Sequence, residues 1–187
     1  MNGWNTHIDR LKKILESMTV TDSSAARLDP EAAMTLWKDL THTIREKGKT
    51  IYFIGNGASA SMASHISADI EKNYHVRAEV FTDLSLITAI ANDMGYDEIF
   101  AEPIRRKVCT GDMLVAISSS GRSENILKAA AEAKSLGGTV VTLSAMDGGN
   151  PLRAMGDLNF HVPAATFGLA ETCHAAILHY WIDLMTL

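Results

Sequence analysis

The sequence predicts an α/β fold in which a parallel, doubly wound sheet carries helices on both faces. Two observations support this prediction: short apolar runs rich in β-forming residues recur along the chain, and amphipathic helical patterns separate them. The length of 187 residues is that of a single domain. We therefore expect one hydrophobic core.

Two amphipathic helices are predicted ahead of the first strand. The first, over about residues 5–18, has apolar residues at alternating steps of four and three: Trp4, Ile8, Leu11, Leu15 and Met18. Residues 19–28 contain the cluster Thr-Asp-Ser-Ser and are predicted to form a loop. Asp29 and Pro30 provide an N-cap and a first-turn proline for the second helix, which Gly48 ends.

From residue 50 onward, strand and helix patterns alternate. Apolar runs predict buried parallel strands at about 50–54, 78–81, 113–118, 139–143 and 158–162. Helical patterns follow these runs at about 60–73, 85–93, 98–108, 123–136 and 168 to the end. We therefore divide the single domain into a helical preface, residues 1–49, and an α/β part, residues 50–187.

The composition excludes several classes of protein. Hydrophobic residues make up 47% and charged residues 21%, which is ordinary for a globular domain and excludes disorder. The net charge is −5 without a long basic run, so we expect neither nucleic acid nor an anionic membrane as a partner. No membrane-spanning run or signal-peptide pattern is present, so we expect a cytoplasmic protein. Cys109 and Cys173 lack the spacing of a disulfide framework or zinc finger.

A glycine-containing loop, Gly55-Asn56-Gly57-Ala58-Ser59, follows the first strand directly. Ligands of open parallel sheets bind beyond the carboxyl ends of the strands, so this loop is a candidate binding segment. Its glycines let the backbone approach a ligand, and the next helix offers free N–H groups to an anion. Ala60 stands where the dinucleotide fingerprint requires its third glycine, so no nucleotide is expected.

A serine-rich loop, Ser118-Ser119-Ser120-Gly121-Arg122-Ser123, follows the third predicted strand. Hydroxyl groups beside a helix start suit a phosphate monoester, although any one of these serines could simply cap the helix. The phosphate-binding motif of nucleoside triphosphatases is absent from the sequence. The two loops together therefore predict a small phosphorylated metabolite as the ligand.

Two predicted helices carry histidine and carboxylate side chains that could form a shared site. His65 and Asp69 are one helical turn apart, and Glu171 and His179 lie on neighbouring parts of one face of the last helix. If the two faces meet, these four groups could perform acid–base chemistry or hold a divalent metal such as zinc. His174 and Cys173 are rival candidates on the last helix, and each histidine alone could be structural.

Five short segments follow one another along the chain in a characteristic order: Gly55-Asn56-Gly57-Ala58-Ser59, Ala91-Asn92-Asp93-Met94-Gly95, Ile117 to Ser123, Asp147-Gly148-Gly149, and the helix from Glu171 to His179. With this order and spacing, essentially the whole chain resembles the sugar-isomerase (SIS) domain family and, within it, the phosphoheptose isomerases. The resemblance implies a three-layer αβα sandwich with a five-stranded parallel sheet, preceded by two helices. It also implies a homotetramer in which the helical preface helps to build the assembly and the active sites lie at subunit boundaries. The apolar stripes of these two helices, which include Trp4 and Trp37, could equally cover the sheet of their own chain.

By the same resemblance, the expected reaction is an aldose–ketose isomerisation. Sedoheptulose 7-phosphate would become D-glycero-D-manno-heptose 7-phosphate through an enediol, on the way to lipopolysaccharide or another surface polysaccharide. The positions that would hold the phosphate and nearby sugar atoms are Asn56, Gly57, Ala58, Ser59, Ser118, Ser119, Ser120 and Ser123. Asn92, Asp93 and Glu171 would contact the rest of the sugar.

The resemblance assigns Asp69 and His179 as the acid–base pair and His65, Asp69, Glu171 and His179 as the ligands of one zinc ion. Three residues depart from the family pattern: Asp69 stands where glutamate is usual, Glu171 where glutamine is usual, and Asn73 where a substrate-contacting arginine is common. Lys72 or Arg122 could substitute for that arginine. These departures leave open an isomerase of another phosphosugar. A non-catalytic SIS-domain sensor or protein-binding factor is the alternative of a different class, although such an adaptor has no need for two acids and two histidines in one cavity.

Overall fold

The computed structural model describes residues 3–186, within which the chain forms seven α-helices and seven strands. The helices are α1 (Trp4–Glu16), α2 (Pro30–Glu46), α3 (Ala58–Tyr74), α4 (Leu84–Asp93), α5 (Ala101–Lys107), α6 (Glu124–Ser135) and α7 (Phe167–Asp183). The strands are β1 (Thr19–Asp22), β2 (Arg27–Leu28), β3 (Thr50–Gly55), β4 (Arg77–Val80), β5 (Met113–Ser118), β6 (Thr139–Ala145) and β7 (Leu158–Val162). The predicted helical preface begins at residue 1, and the predicted last helix runs to the end of the chain. Residues 1, 2 and 187 lie outside the described residues.

All seven strands belong to one mixed sheet with the order β2-β1-β7-β6-β5-β3-β4. Strands β3 to β7 run parallel to one another, and β1 and β2 add to the β7 edge in antiparallel pairing. The register pairs Gly55 with Ile117 and Ser118 with Ser144, so β3, β5 and β6 end at the same edge. The glycine-containing loop and the serine-rich loop leave the sheet there, side by side.

The prediction of a loop over residues 19–28 was wrong, and so was the prediction of a five-stranded, wholly parallel sheet. The segment forms the β1–β2 hairpin, in which Val20 is fully buried and pairs with Phe160 of β7. The Asp22 carboxylate stabilises the turn by accepting hydrogen bonds from the backbone N–H groups of Ser24 and Ala26. The polar residues therefore do form a turn, but the strand β1 beside it pairs with β7, which is distant in the sequence.

Helices cover both faces of the sheet, and a hydrophobic core lies on each side. Helices α1, α2, α3 and α7 contribute to one core, and α4, α5 and α6 contribute to the other. The indole of Trp37 on α2 stacks on that of Trp181 on α7, with 4.0 Å between ring centroids. The first two helices therefore pack into the same core as the last one. No helix within residues 3–186 is both long and apolar enough to cross a membrane.

Candidate active site

A cleft of about 250 Å³ lies beyond the carboxyl ends of β3 and β5. It is lined by both loops that the sequence singled out and by the start of the last helix: Asn56, Gly57, Ala58, Ser59, Ile117, Ser118, Ser119, Ser120, Ser123, Phe167 and Glu171. All eight positions predicted to hold a phosphate are among these residues. The structure thus brings them together at one site.

The glycine-containing loop reaches the cleft because α3 crosses very close to the end of β3. A Cβ atom added to Gly55 would lie 2.6 Å from the backbone carbonyl carbon of Ser59, so only glycine permits this approach. Asn56, Gly57 and Ala58 follow at once and line the cleft. Ser59 lies within the first turn of α3 and is 5% exposed. The tight turn therefore places both the backbone and the Ser59 hydroxyl at the site.

The serine-rich loop is held by hydrogen bonds from its own backbone. The Ser118 hydroxyl accepts from the N–H of Gly121 at 3.2 Å, and the Ser120 hydroxyl accepts from the N–H of Arg122 at 3.3 Å. An accepting hydroxyl keeps its proton available for a ligand oxygen. The loop therefore offers hydroxyl donors whose positions are fixed before a ligand binds.

Asn150 packs against Gly121 of the serine-rich loop, a contact that the sequence did not predict. Gly121 adopts a φ of +61°, and an added Cβ would meet the Asn150 side-chain oxygen at 2.0 Å. Asn150 in turn donates from Nδ2 to the carbonyl of Asp147 at 2.7 Å, and the Ala145 N–H donates to the Ser119 carbonyl at 3.1 Å. The segment that follows β6 therefore supports the loop that follows β5.

Three helices begin at the cleft and direct their positive ends toward it. Helix α3 starts at Ala58, α6 starts beside Ser123, and α7 starts at Phe167. The N-cap residue of α3 is Gly57, which has no side chain to cap the helix. The N-cap residue of α6 is Ser123, whose side chain makes no capping bond within the described residues. Among the described residues, the N–H groups of Ala58 in α3 and of Glu124 and Asn125 in α6 have no partner, so they remain for an anion, with the helix dipoles adding to the attraction.

Helices α3 and α7 also bring together a second group, formed by His65, Asp69 and His179. Their ligand atoms all lie within 4.8 Å of one another, which is close enough to share one metal ion. His65 Nε2 lies 3.4 Å from Asp69 Oδ2, and the rings of His65 and His179 have centroids 5.3 Å apart. His65 and His179 are exposed and Asp69 is half-buried, so solvent and a ligand can reach the group.

Glu171 lines the cleft and is not part of this three-residue group. The reason is axial distance: at 1.5 Å per residue, the eight residues from Glu171 to His179 span about 12 Å along α7. The sequence prediction considered only the rotation per residue, which puts the two side chains on neighbouring parts of one face, and not this rise along the axis. The structure therefore brings together three of the four predicted metal ligands.

Asn92 and Asp93 are exposed at the end of α4 and do not line the cleft. The Asn92 amide donates to the Asp93 carboxylate at 2.8 Å. Asp93 instead borders a separate apolar groove between α4 and α5. Within one chain, these two predicted sugar contacts therefore lie apart from the other site residues.

The rival candidates on the last helix, His174 and Cys173, are fully buried. Burial lowers the pKa of His174 to about 4, so its ring is neutral at physiological pH. Burial likewise raises the pKa of the Cys173 thiol, which disfavours the reactive thiolate. These side chains are suited to packing, whereas His179 on the same helix faces solvent.

Asn125 and Phe167 also went unnoticed in the sequence. Asn125 is 2% exposed and pairs its side-chain amide with that of Asn56. Phe167 is 62% exposed and lines the cleft at the start of α7. An exposed aromatic residue at the start of a helix is a signal that could have been used, whereas the amide pair depends on tertiary structure.

The chain is similar to known proteins in both sequence and fold. The sequence model of the SIS domain matches residues 8–145. A phosphoheptose isomerase of Shewanella sp. (strain W3-18-1) is 35% identical over 184 residues, covering 94% of this chain and 93% of that protein. One from Helicobacter pylori (strain Shi470) is 33% identical over 183 residues, covering 95% and 88%. The structure of phosphoheptose isomerase from Neisseria gonorrhoeae has a TM-score of 0.84 and 26% identity, covering 97% and 96%.

The class of protein is thus an α/β sandwich with a serine-lined cleft beyond its parallel strands. Within that class, the chain belongs to the SIS domain family.

Proposed function

We propose that this protein is a phosphoheptose isomerase, which interconverts sedoheptulose 7-phosphate and D-glycero-D-manno-heptose 7-phosphate. One arrangement carries the proposal: helices α3 and α7 both begin at the serine-rich cleft, and both lead to the group of His65, Asp69 and His179. The sequence relatives named phosphoheptose isomerase support the substrate.

The cleft binds the phosphate in this proposal. The hydroxyls of the serine-rich loop and of Ser59 donate to the phosphate oxygens, and the first turns of α3 and α6 add backbone N–H groups. Hydrogen bonds from neutral donors to a phosphate are charge-assisted, so they are stronger than ordinary ones. Glu171, at the same cleft, accepts hydrogen bonds from sugar hydroxyls.

The distance between the cleft and the group of His65, Asp69 and His179 suits a long sugar phosphate. His65 lies six residues after Ser59, which at 1.5 Å per residue places it about 9 Å further along α3. An extended seven-carbon sugar carries its phosphate and its carbonyl at opposite ends. With the phosphate in the cleft, the carbonyl end would reach His65, Asp69 and His179.

Asp69 and His179 transfer the proton in this proposal. Moving a carbonyl between C1 and C2 requires removing a proton from one carbon, forming an enediol and returning the proton to the neighbouring carbon. A carboxylate and an imidazole that lie close together can both reach the two reacting carbons and provide the required base and acid. Asp69 has one methylene fewer than the glutamate usual at this position, so another phosphosugar of different length remains the nearest alternative substrate.

Zinc fits the three-residue group. Two imidazole nitrogens and a carboxylate oxygen are ligands that zinc prefers, and three protein ligands leave a fourth position for substrate or water. His65, Asp69 and His179 would hold the ion, which when bound would polarise the sugar carbonyl. The Asp69 carboxylate has two oxygens, so one would remain able to accept a proton while the residue helped to hold the ion.

Asn92 and Asp93 enter this proposal through assembly. Within one chain they lie away from the cleft, so we place them at the cleft of a neighbouring subunit in a homotetramer. Exposed apolar side chains on the helical preface, including Trp4 at 73% and Leu36 at 46%, support its role in building that assembly. The proposal assigns the enzyme to the cytoplasm and its product to surface polysaccharide synthesis.

The direct test is conversion of sedoheptulose 7-phosphate by the purified protein, measured by separating ketose and aldose phosphates. We expect conversion that depends on the phosphate, so that unphosphorylated sedoheptulose is a poor substrate. Conversion of a different phosphosugar alone would overturn the stated substrate. Absence of turnover on any phosphosugar, with retained binding of a protein partner, would support a non-catalytic SIS-domain factor instead.

A further inference from the structure

Asn56 and Asn125 form a reciprocal amide pair between the loop after β3 and the first turn of α6. Asn56 Nδ2 donates to Asn125 Oδ1 at 3.0 Å, and Asn125 Nδ2 donates to Asn56 Oδ1 at 2.9 Å. Asn56 lines the cleft, whereas Asn125 is 2% exposed and does not line it. The pair therefore connects a site residue to a buried one.

The orientation of the Asn125 amide is fixed by its own helix. Asn125 Oδ1 also accepts the backbone N–H of Ile126 at 3.0 Å, and only an oxygen can accept there. The Asn125 nitrogen must therefore face Asn56. Two facing amides pair only when each nitrogen meets an oxygen, so the Asn56 amide cannot rotate by 180° without losing both bonds.

Tyr96 adds a second donor to the same oxygen of Asn56. Its hydroxyl donates to Asn56 Oδ1 at 3.4 Å, in addition to the bond from Asn125. The two acceptor positions of that oxygen are then occupied, and one of its two amide N–H groups is bonded to Asn125. Among the described residues, the second N–H of Asn56 has no partner, so it is the group left for a ligand.

We infer that Asn125 and Tyr96 are positioning residues that hold Asn56 as a hydrogen-bond donor to the substrate. The fixed amide presents an N–H, never its carbonyl, so the cleft selects an acceptor oxygen such as that of a phosphate. This inference rests on the proposed function for the identity of the substrate. Asn125 and Tyr96 do not line the cleft but border an adjoining cavity that shares Asn56 and Ser123 with it, and their hydrogen bonds to Asn56 are the contacts through which we expect them to act.

A double-mutant cycle tests whether Asn125 acts through Asn56. Asn125→Leu removes the pair without adding a charge and fills a similar volume. We expect it to raise KM for sedoheptulose 7-phosphate about tenfold with little change in kcat, because hydrogen bonds to charged groups contribute about 1.5–3 kcal/mol. In an Asn56→Ala background, the same change should raise KM no further. A KM that rises equally in both backgrounds would overturn the inference.

Two further variants separate positioning from general destabilisation. Tyr96→Phe removes one hydroxyl from a side chain that is 60% exposed, so the fold is preserved, and we expect KM to rise about threefold. Asn159→Leu is the matched control, because Asn159 on β7 is fully buried and bonded to Thr142 of β6 and to Gly156 just before β7, and it does not line the cleft. Its melting temperature should fall while KM stays unchanged. An unchanged KM in both Asn125→Leu and Tyr96→Phe would contradict the inference.

Binding of inorganic phosphate, measured by calorimetry, separates failure of this inference from failure of the proposed function. If the wild-type protein converts no sedoheptulose 7-phosphate, the proposed substrate fails, but the dissociation constant for phosphate should still follow the same pattern across the variants. Equal phosphate affinities in wild type, Asn125→Leu and Tyr96→Phe would overturn the inference, as would a wild-type protein that binds no phosphate.

Discussion

The Nε2 atom of His65 lies 3.4 Å from Oδ2 of Asp69, one turn further along α3, and His179 of α7 completes the group. No local sequence motif joins these residues, since α7 is the last helix of the chain. They meet because α3 and α7 pack on the same face of the sheet and both start at its carboxyl edge. The proposed acid–base chemistry depends on this proximity of the three side chains.

Replacing His179 should abolish turnover without unfolding the protein. His179 is exposed, so His179→Asn should leave the melting temperature nearly unchanged, whereas kcat should fall by about 10²–10⁴, the usual contribution of a general acid or base. His75→Asn is the matched control, because His75 is exposed at the far end of α3 with a φ of +54°, a conformation that asparagine tolerates. Equal activity of the two variants would exclude His179 from catalysis.

Zinc content should depend on His65 and Asp69 but not on Glu171. His65→Ala and Asp69→Asn each remove one of three converging ligands, so bound zinc, measured by mass spectrometry after dialysis, should fall well below one ion per chain. Glu171→Gln should retain zinc, because Glu171 lies at the cleft. Its KM should fall by a factor of a few, since a negative charge leaves a phosphate site. Loss of zinc in Glu171→Gln would show that four residues bind the ion.

Gly121→Ala should loosen the serine-rich loop. The substitution places a Cβ atom against Asn150 at a position where φ is +61°, so Asn150 must move away from the loop that it supports. We expect a loss of about 1–3 kcal/mol in the free energy of unfolding and a raised KM. Chemical denaturation and kinetics check the two effects. A variant as stable as wild type would mean that Asn150 accommodates the added Cβ atom without a loss in the free energy of unfolding.

Stability should fall as the pH is lowered from about 6.5 toward 4, because His174 is buried and neutral. Burial lowers its pKa from 6.5 to about 4, so in this range the unfolded chain binds a proton that the folded chain does not. The loss approaches about 3 kcal/mol at the lower end. Burial also lowers the pKa of His161, which adds to the effect in the same direction.

His174→Leu should reduce this acid sensitivity and leave stability at neutral pH unchanged or higher. Both ring nitrogens of His174 lack a hydrogen-bond partner within the described residues, so an apolar side chain removes two unsatisfied groups. Urea denaturation across the pH range measures the difference between the two proteins. An identical pH dependence in wild type and variant would exclude His174 as the cause.

The strands that position the site could be predicted because they are continuous apolar runs buried on both faces. Strands β5 and β7 have the predicted bounds, and the loops after β3 and β5 follow directly from them. The β1–β2 hairpin could not be predicted in this way. Its stability depends on pairing between Val20 and Phe160, and nothing in the local sequence around Val20 indicates that partner.

The candidate site could be predicted in composition but not in arrangement. Helical spacing correctly placed His65 beside Asp69, whereas the same reasoning grouped Glu171 with His179 because it considered rotation and not the rise along the axis. Asn125 could not be identified at all. Its partner Asn56 follows a different strand, and the amide pair exists only once β3 and the start of α6 are adjacent.

Solvent deuterium incorporation during turnover tests the central claim most directly. The proton that Asp69 or His179 takes from the sugar carbon exchanges with water before it is returned to the enediol, because His179 is exposed and Asp69 is only half-buried. Sedoheptulose 7-phosphate converted in D₂O should therefore yield aldose phosphate that carries deuterium at C2, and His179→Asn should form neither product nor deuterated substrate. Product that forms at the wild-type rate without deuterium, or turnover that survives His179→Asn, would contradict the account.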